Sequence, residues 1–188
     1  MTRDAFVQLI VSTFTNPRET GETVLALRPS REVVWTALIM VMAASGLLYG
    51  LQSMLLAPAE GPVQAVSPVL YGAIIGLSLL VSAAAFTWVG GRMGGTGRFD
   101  EAMALFTWLG FVLLLAEVAV LFLALILPPL AGVVALAMLV VGLWIQLRFI
   151  QVLHRYAGVM QAVFCTLAVI LAVTVFATAL ILLFGGVQ

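Results

Sequence analysis

The chain has 188 residues, 64% of them hydrophobic and 9% charged, with a mean hydropathy of +1.23. A soluble domain carries about a quarter charged residues, so this composition excludes a water-soluble globule and makes lipid the solvent for most of the chain. The formal net charge is zero, which argues against the global basic field of a nucleic-acid binder.

Residues 4–14, "DAFVQLIVSTF", place Phe6, Leu9, Ile10 and Phe14 at helical spacing. They predict a short amphipathic helix that either lies along the membrane surface or packs on the rest of the protein. Asn16-Pro17 ends it, and 19–27 repeats the device more weakly. No long apolar core precedes Arg28, so no secretory signal is expected. Residues 1–32 read as a cytoplasmic segment ahead of a membrane domain at 33–188.

Five apolar runs follow, at 33–56, 68–89, 102–127, 130–150 and 162–184. Each is close to or above the ~20 residues that cross a ~30 Å hydrocarbon core. The fold class expected is therefore an all-α, polytopic bundle of five spans. The third and fourth runs are separated only by "LPPL" at 127–130, where a double proline ends one helix and sets a tight turn.

All eight basic residues are arginine. Arg3, Arg18, Arg28 and Arg31 precede the first span, Arg92 and Arg98 lie in the second loop, and Arg148 and Arg155 flank the fourth. The loop at 57–67, the proline turn and the C-terminal tail hold none. Basic residues on alternate loops put the N-terminus in the cytoplasm and Gln188 outside.

Between the second and third spans stands "GGRMGGTGRFDE", at 90–101. Gly90 and Gly95 have the spacing of a phosphate-binding loop, but Thr96 stands where its lysine must be and no strand precedes it. The glycines, Gly94, Gly95 and Gly97 among them, instead suit a close turn in which positive φ is allowed. Thr96 or Asp100 is placed to cap the helix that follows. Arg92 and Arg98 would meet anionic headgroups, or pair with Asp100 or Glu101.

Glu117 is the one acidic residue deep in a span. At the centre of a membrane helix it costs about 3 kcal/mol unless partnered. It is expected to be neutral, or bonded to Ser78, Ser82, Thr174 or Thr178. It serves either a proton or ion relay or a helix-to-helix hydrogen bond. "GLLYG" (Gly46, Gly50) and "GAIIG" (Gly72, Gly76) are small-residue faces, for packing within the chain or for a dimer. Gln146, Arg148, His154 and Arg155 gather near the end of the fourth span, where a lone histidine is expected to be solvated. With Cys165 standing alone, no disulfide, metal or cofactor is expected. No nucleophile, base and orienting group can be read as a set, so no enzyme is expected.

Three stretches resemble members of the Yip1 family of membrane proteins. "GGTGRFDEAMALFTW" is similar to the family's glycine turn with an aromatic (here Phe106 or Trp108) about eight residues on. "FTNPRETGETVLAL" resembles its lead-in with a proline. "VVGLWIQLRFIQVLHRYAGVMQAV" resembles its fourth span, with Trp144 and Gly158 in place. The resemblance implies five spans with a cytoplasmic N-terminus, in the bacterial branch of the family. Eukaryotic members are associated with vesicle traffic, membrane shaping and small-GTPase binding. Their "DLYGP" stretch is absent here, and no GTPase-binding residue is carried over. The function expected is a membrane-organising or protein-binding component of a bacterial inner membrane, an accessory subunit or assembly factor of a larger complex. Its partners would be membrane lipids and a membrane protein or a second copy. The alternative is a small transporter or channel using Glu117.

Overall fold

A computed structural model describes residues 2–56 and 66–184. Residues 57–65 of the arginine-free first loop, and Gln188, lie outside the described residues. Among the described residues the chain is all helical: α1 Arg3–Thr15, α2 Pro17–Ala26, α3 Arg31–Leu55, α4 Pro68–Arg92, α5 Phe99–Ile126, α6 Pro128–His154 and α7 Val159–Phe184. The last five are long and apolar enough to cross a membrane. Each is longer at one end than its apolar run, and α6 at both, because helices continue past the hydrocarbon until a cap stops them. Ser30 and Ser67 accept hydrogen bonds from Val33 and Leu70 and open α3 and α4. Leu127 alone separates α5 from α6, and Pro128 takes the first helical turn, where its missing N–H costs nothing.

Helix α3 pairs with α4 and α5, α5 lies between α4 and α6, and α7 closes against α4 and α6. The small-residue faces are used inside the chain. A Cβ on Gly46 would overlap the Pro68 carbonyl, and one on Gly72 would overlap the Met42 carbonyl. Gly50 makes room for the Pro68 ring and Gly76 for the Met42 side chain. These are close backbone approaches between α3 and α4, the use that small residues serve where apolar burial gives no advantage over lipid. Near the far ends of α3 and α4, Tyr49 and Tyr71 stack with centroids 4.2 Å apart.

The densest core sits at the arginine-bearing end. Ile145, Phe149, Ile150 and Leu153 of α6 are buried there against Ala102, Met103, Leu105, Phe106 and Leu109 of α5. Helices α1 and α2 are part of this core. Leu9, Thr13, Thr20 and Val24 are buried, and α2 lies on α6, where Gly21 admits the Phe149 ring. The Trp108 indole donates to Thr13 Oγ1 at 3.1 Å, while Phe6 meets the Trp108 ring edge-on at 5.7 Å. Packing therefore occupies one face of α1. Its other face leaves Val7 and Val11 exposed.

Replacing Gly72 with Val should force α3 and α4 apart, because the group it strikes is backbone and cannot turn aside. Overpacking of this kind costs about 1–3 kcal/mol. Gly132→Val, at an open position on α6, should cost far less. Thermal unfolding of the two variants in detergent checks the contrast.

Candidate functional site

Two surroundings gather the polar and glycine residues that the sequence singles out. One is the joint between α4 and α5; the other is the groove along Glu117.

Helix α4 ends in a Schellman motif. Gly95 N–H donates to the Gly90 carbonyl at 2.8 Å and Gly94 N–H to Gly91 at 3.3 Å, with Gly94 at φ +84°. Gly94 alone among the joint's glycines needs a left-handed backbone. Gly90, Gly95 and Gly97 are required for a different reason. A Cβ on Gly90 or Gly95 would overlap the His154 imidazole, and one on Gly97 would strike Leu153. The expectation that positive φ governs Gly95 and Gly97 is thus corrected: they are seats for α6.

His154 is only 2% exposed, so the expectation of a solvated histidine is corrected too. The Gly97 amide donates to Nδ1 at 3.3 Å, and Nε2 lies 3.0 Å from the Phe86 carbonyl. An amide can only donate and a carbonyl only accept. The neutral tautomer with its proton on Nε2 satisfies both. Tyr156 stacks on the imidazole at 5.2 Å and its hydroxyl donates to the Gly90 carbonyl at 3.1 Å. Burial pushes the Tyr156 phenol up to about 12. Buried Gln151 accepts from Arg148 at 3.1 Å and reaches the Tyr156 carbonyl at 3.5 Å. Gln151 and Tyr156 carry no motif that a sequence reader would single out. Only the fold brings them to the glycines.

The charged residues around this joint pair differently from the expectation. Asp100 meets Arg31 at 3.1 Å, and Glu101 meets Arg155 at 3.4 Å. Arg98 is itself the N-cap residue of α5. Its amide donates to Glu101 Oε2 at 2.9 Å, so neither Thr96 nor Asp100 caps the helix. Thr96 Oγ1 instead accepts from Arg155 at 2.9 Å. Arg92 lies over the Trp88 ring at 4.5 Å and Arg148 over Trp144 at 4.2 Å. Both rings are well exposed, so each is a cation–π pair on the surface of the bundle. Gln146, Arg148, His154 and Arg155 do not converge: each faces a different partner.

Glu117 lies about 27 Å along α5 at 1.5 Å per residue. It is exposed, and among the described residues it makes no hydrogen bond. Ser78, one of its expected partners, donates to the Ile75 carbonyl of its own helix. Glu117 instead lines a groove of about 530 Å³ between α5 and α6, with Gln146 the other polar residue on its wall. Among the described residues no three histidine, cysteine, aspartate or glutamate side chains come together as a metal would require.

Gly95→Ala should destabilise the protein by about 1–3 kcal/mol through its clash with the imidazole. Adding His154→Ala should recover part of that loss, and a double-mutant cycle of unfolding midpoints checks the coupling. Tyr156 gives a pH signature. Its folded-state ionisation lies above the ordinary 10.0, so its contribution is complete below pH 10.0 and is lost as pH rises toward about 12. Wild type should lose more stability over that window than Tyr156→Phe. At neutral pH the Phe variant should be weaker by about 1 kcal/mol.

A search of curated proteins finds no match to this chain, and a search of solved structures finds none. The Yip1 domain model matches residues 11–181, from the middle of α1 to the last turn of α7. That span takes in the end of α1, all of α2, the glycine joint and the five candidate membrane helices up to the last turn of α7. The chain belongs to the Yip1 family, as a multi-pass membrane protein.

Proposed function

We propose that this chain is a membrane-organising or protein-binding component of a bacterial inner membrane, with its arginine-bearing end in the cytoplasm. It would serve as an accessory subunit or assembly factor of a larger membrane complex. The observation that carries this reading is the two-sided character of α1. Leu9 and Thr13 seal it to the bundle, while Val7 and Val11 on its other flank stay exposed beside the arginine-bearing end. A docked helix with apolar residues left over offers a surface to headgroups or to a protein partner. Arg92 over Trp88 and Arg148 over Trp144 flank the same end. The arginines on alternate loops support the orientation.

A transporter or channel role for Glu117 has less support. Transport sites gather several convergent polar groups at broken helices. Helix α5 runs unbroken from Phe99 to Ile126, and Glu117 shares its groove with one amide.

Purification in mild detergent, with mass spectrometry of what accompanies the protein, should recover a membrane protein that is lost from Val7→Asp/Val11→Asp. Recovery of nothing, or of the same proteins from the variant, would overturn the reading. Pump-like or channel-like flux in proteoliposomes that Glu117→Gln abolishes would replace it with the transport role. A reporter fused after Gln188 should be active only outside the cytoplasm, and one inserted at 92–98 only inside. The reverse would overturn the orientation.

A further inference from the structure

The α5–α6 groove poses a physical problem that the described residues do not solve. Glu117 stands on its wall, well inside the hydrocarbon by its position on α5, and is exposed. Hydrocarbon gives a carboxyl neither a donor nor an acceptor, which makes an uncovered one costly even when neutral. Among the described residues no hydroxyl hydrogen-bonds it: Ser78 is committed to Ile75, and the groove wall is drawn from α5 and α6 alone. Around Glu117 the wall is built of apolar residues that include the small side chains of Ala116 and Ala135. Small side chains leave room for another helix to approach closely.

We propose that this groove is a two-fold interface with a second copy of the chain, in which the Glu117 carboxyls of the two copies hydrogen-bond each other. The proposal deepens the protein-binding reading above and rests on it, naming the partner for this face. Two copies inserted in the same orientation present Glu117 at the same depth. A two-fold axis along the membrane normal then brings like residues together. A neutral carboxyl both donates and accepts, so it is complementary to its own copy. Neither lipid nor an apolar helix has that property. The neighbouring α6 surface continues the interface with exposed Leu136 and Leu139, each 68% exposed. The small-residue faces of α3 and α4 take no part, being filled already by each other.

The test uses the full chain in liposomes, with Cys165→Ala removing the native thiol. Leu139→Cys, beside the groove, should cross-link to a dimer on mild oxidation. Trp88→Cys, exposed on α4, should not. Energy transfer between labelled copies, followed against dilution in lipid, gives the association strength. Glu117→Leu should weaken association about tenfold, the loss expected of one interhelical hydrogen bond in a membrane. Glu117→Gln, whose amide also donates and accepts, should keep it. Ala135→Leu should block the groove without touching the core and abolish the Leu139→Cys cross-link. The helical content of each variant separates failed folding from failed pairing. If Glu117→Leu does not fold, the cross-links and the Glu117→Gln and Ala135→Leu variants still decide. Wild-type chains that stay monomeric, dimers indifferent to Glu117→Leu, or a different protein cross-linked at Leu139→Cys would overturn the proposal. The last result would leave the protein-binding reading standing. A dimer without any protein recovered through α1 would uphold the interface and sink the larger-complex reading.

Discussion

The seating of His154 among three glycines is the contact on which the arginine-bearing half of this protein depends. Gly90, Gly95 and Gly97 bring the α4–α5 joint so close to the end of α6 that a methyl group on any of them would collide with His154 or Leu153. The imidazole fills the space, accepts from the Gly97 amide and lies 3.0 Å from the Phe86 carbonyl inside α4. Leaving the Gly97 amide buried and unpaired would cost about 1–3 kcal/mol, and the imidazole removes that penalty. Tyr156 adds a third bond, to Gly90, from the other side of the ring.

Several features of the fold follow from that seat. With α6 held against the joint, its buried residues Phe149, Ile150 and Leu153 line up with α5 and form the densest core. This surface then receives α2 through Gly21, and α1 follows through Thr13 and Trp108. The ion pairs Arg31–Asp100 and Arg155–Glu101 tie the start of α3 and the end of α6 to the start of α5. Being largely exposed, they add little stability and chiefly set positions. The far half of the bundle is held differently. There α3 and α4 touch through Gly46 and Gly72, and a smaller core forms from Leu48, Leu114 and Leu121.

This division bears on function. The arginine-bearing end is a compact, hydrogen-bonded platform on which Val7 and Val11, Arg92 over Trp88 and Arg148 over Trp144 stand exposed. A rigid platform is suited to holding partners or headgroups at a fixed level, with no moving part required. Glu117 lies outside it, in the groove between α5 and α6, where it makes no hydrogen bond among the described residues. Family membership covers both regions, since the matched residues run from 11 to 181.

How much of this was legible in the sequence varies with the range of the interaction. Composition and run length determined the membrane class, the five spans and the break at the double proline, because solvent preference and backbone geometry act over a few turns of chain. The short helices at the N-terminus were readable from spacing and from Pro17, and the glycine joint from its density of glycines. The exact seat of each glycine was not, because a residue's need to be small depends on what approaches it, and His154 lies far along the chain. The same holds for Asp100 and Glu101: their acidity near a helix start was plain, but Arg31 and Arg155 are brought to them only by the packing of α3 and α6 on α5. Glu117 was visible as an oddity at once. Which side it faces depends on the rotation of α5 in the bundle, a quantity that a nearly uniform apolar helix does not encode in its own residues. The sequence by itself determined where the chain crosses lipid and where it turns. Tertiary structure alone decided which glycines meet which side chains, because close approach is a property of pairs of segments and not of either one.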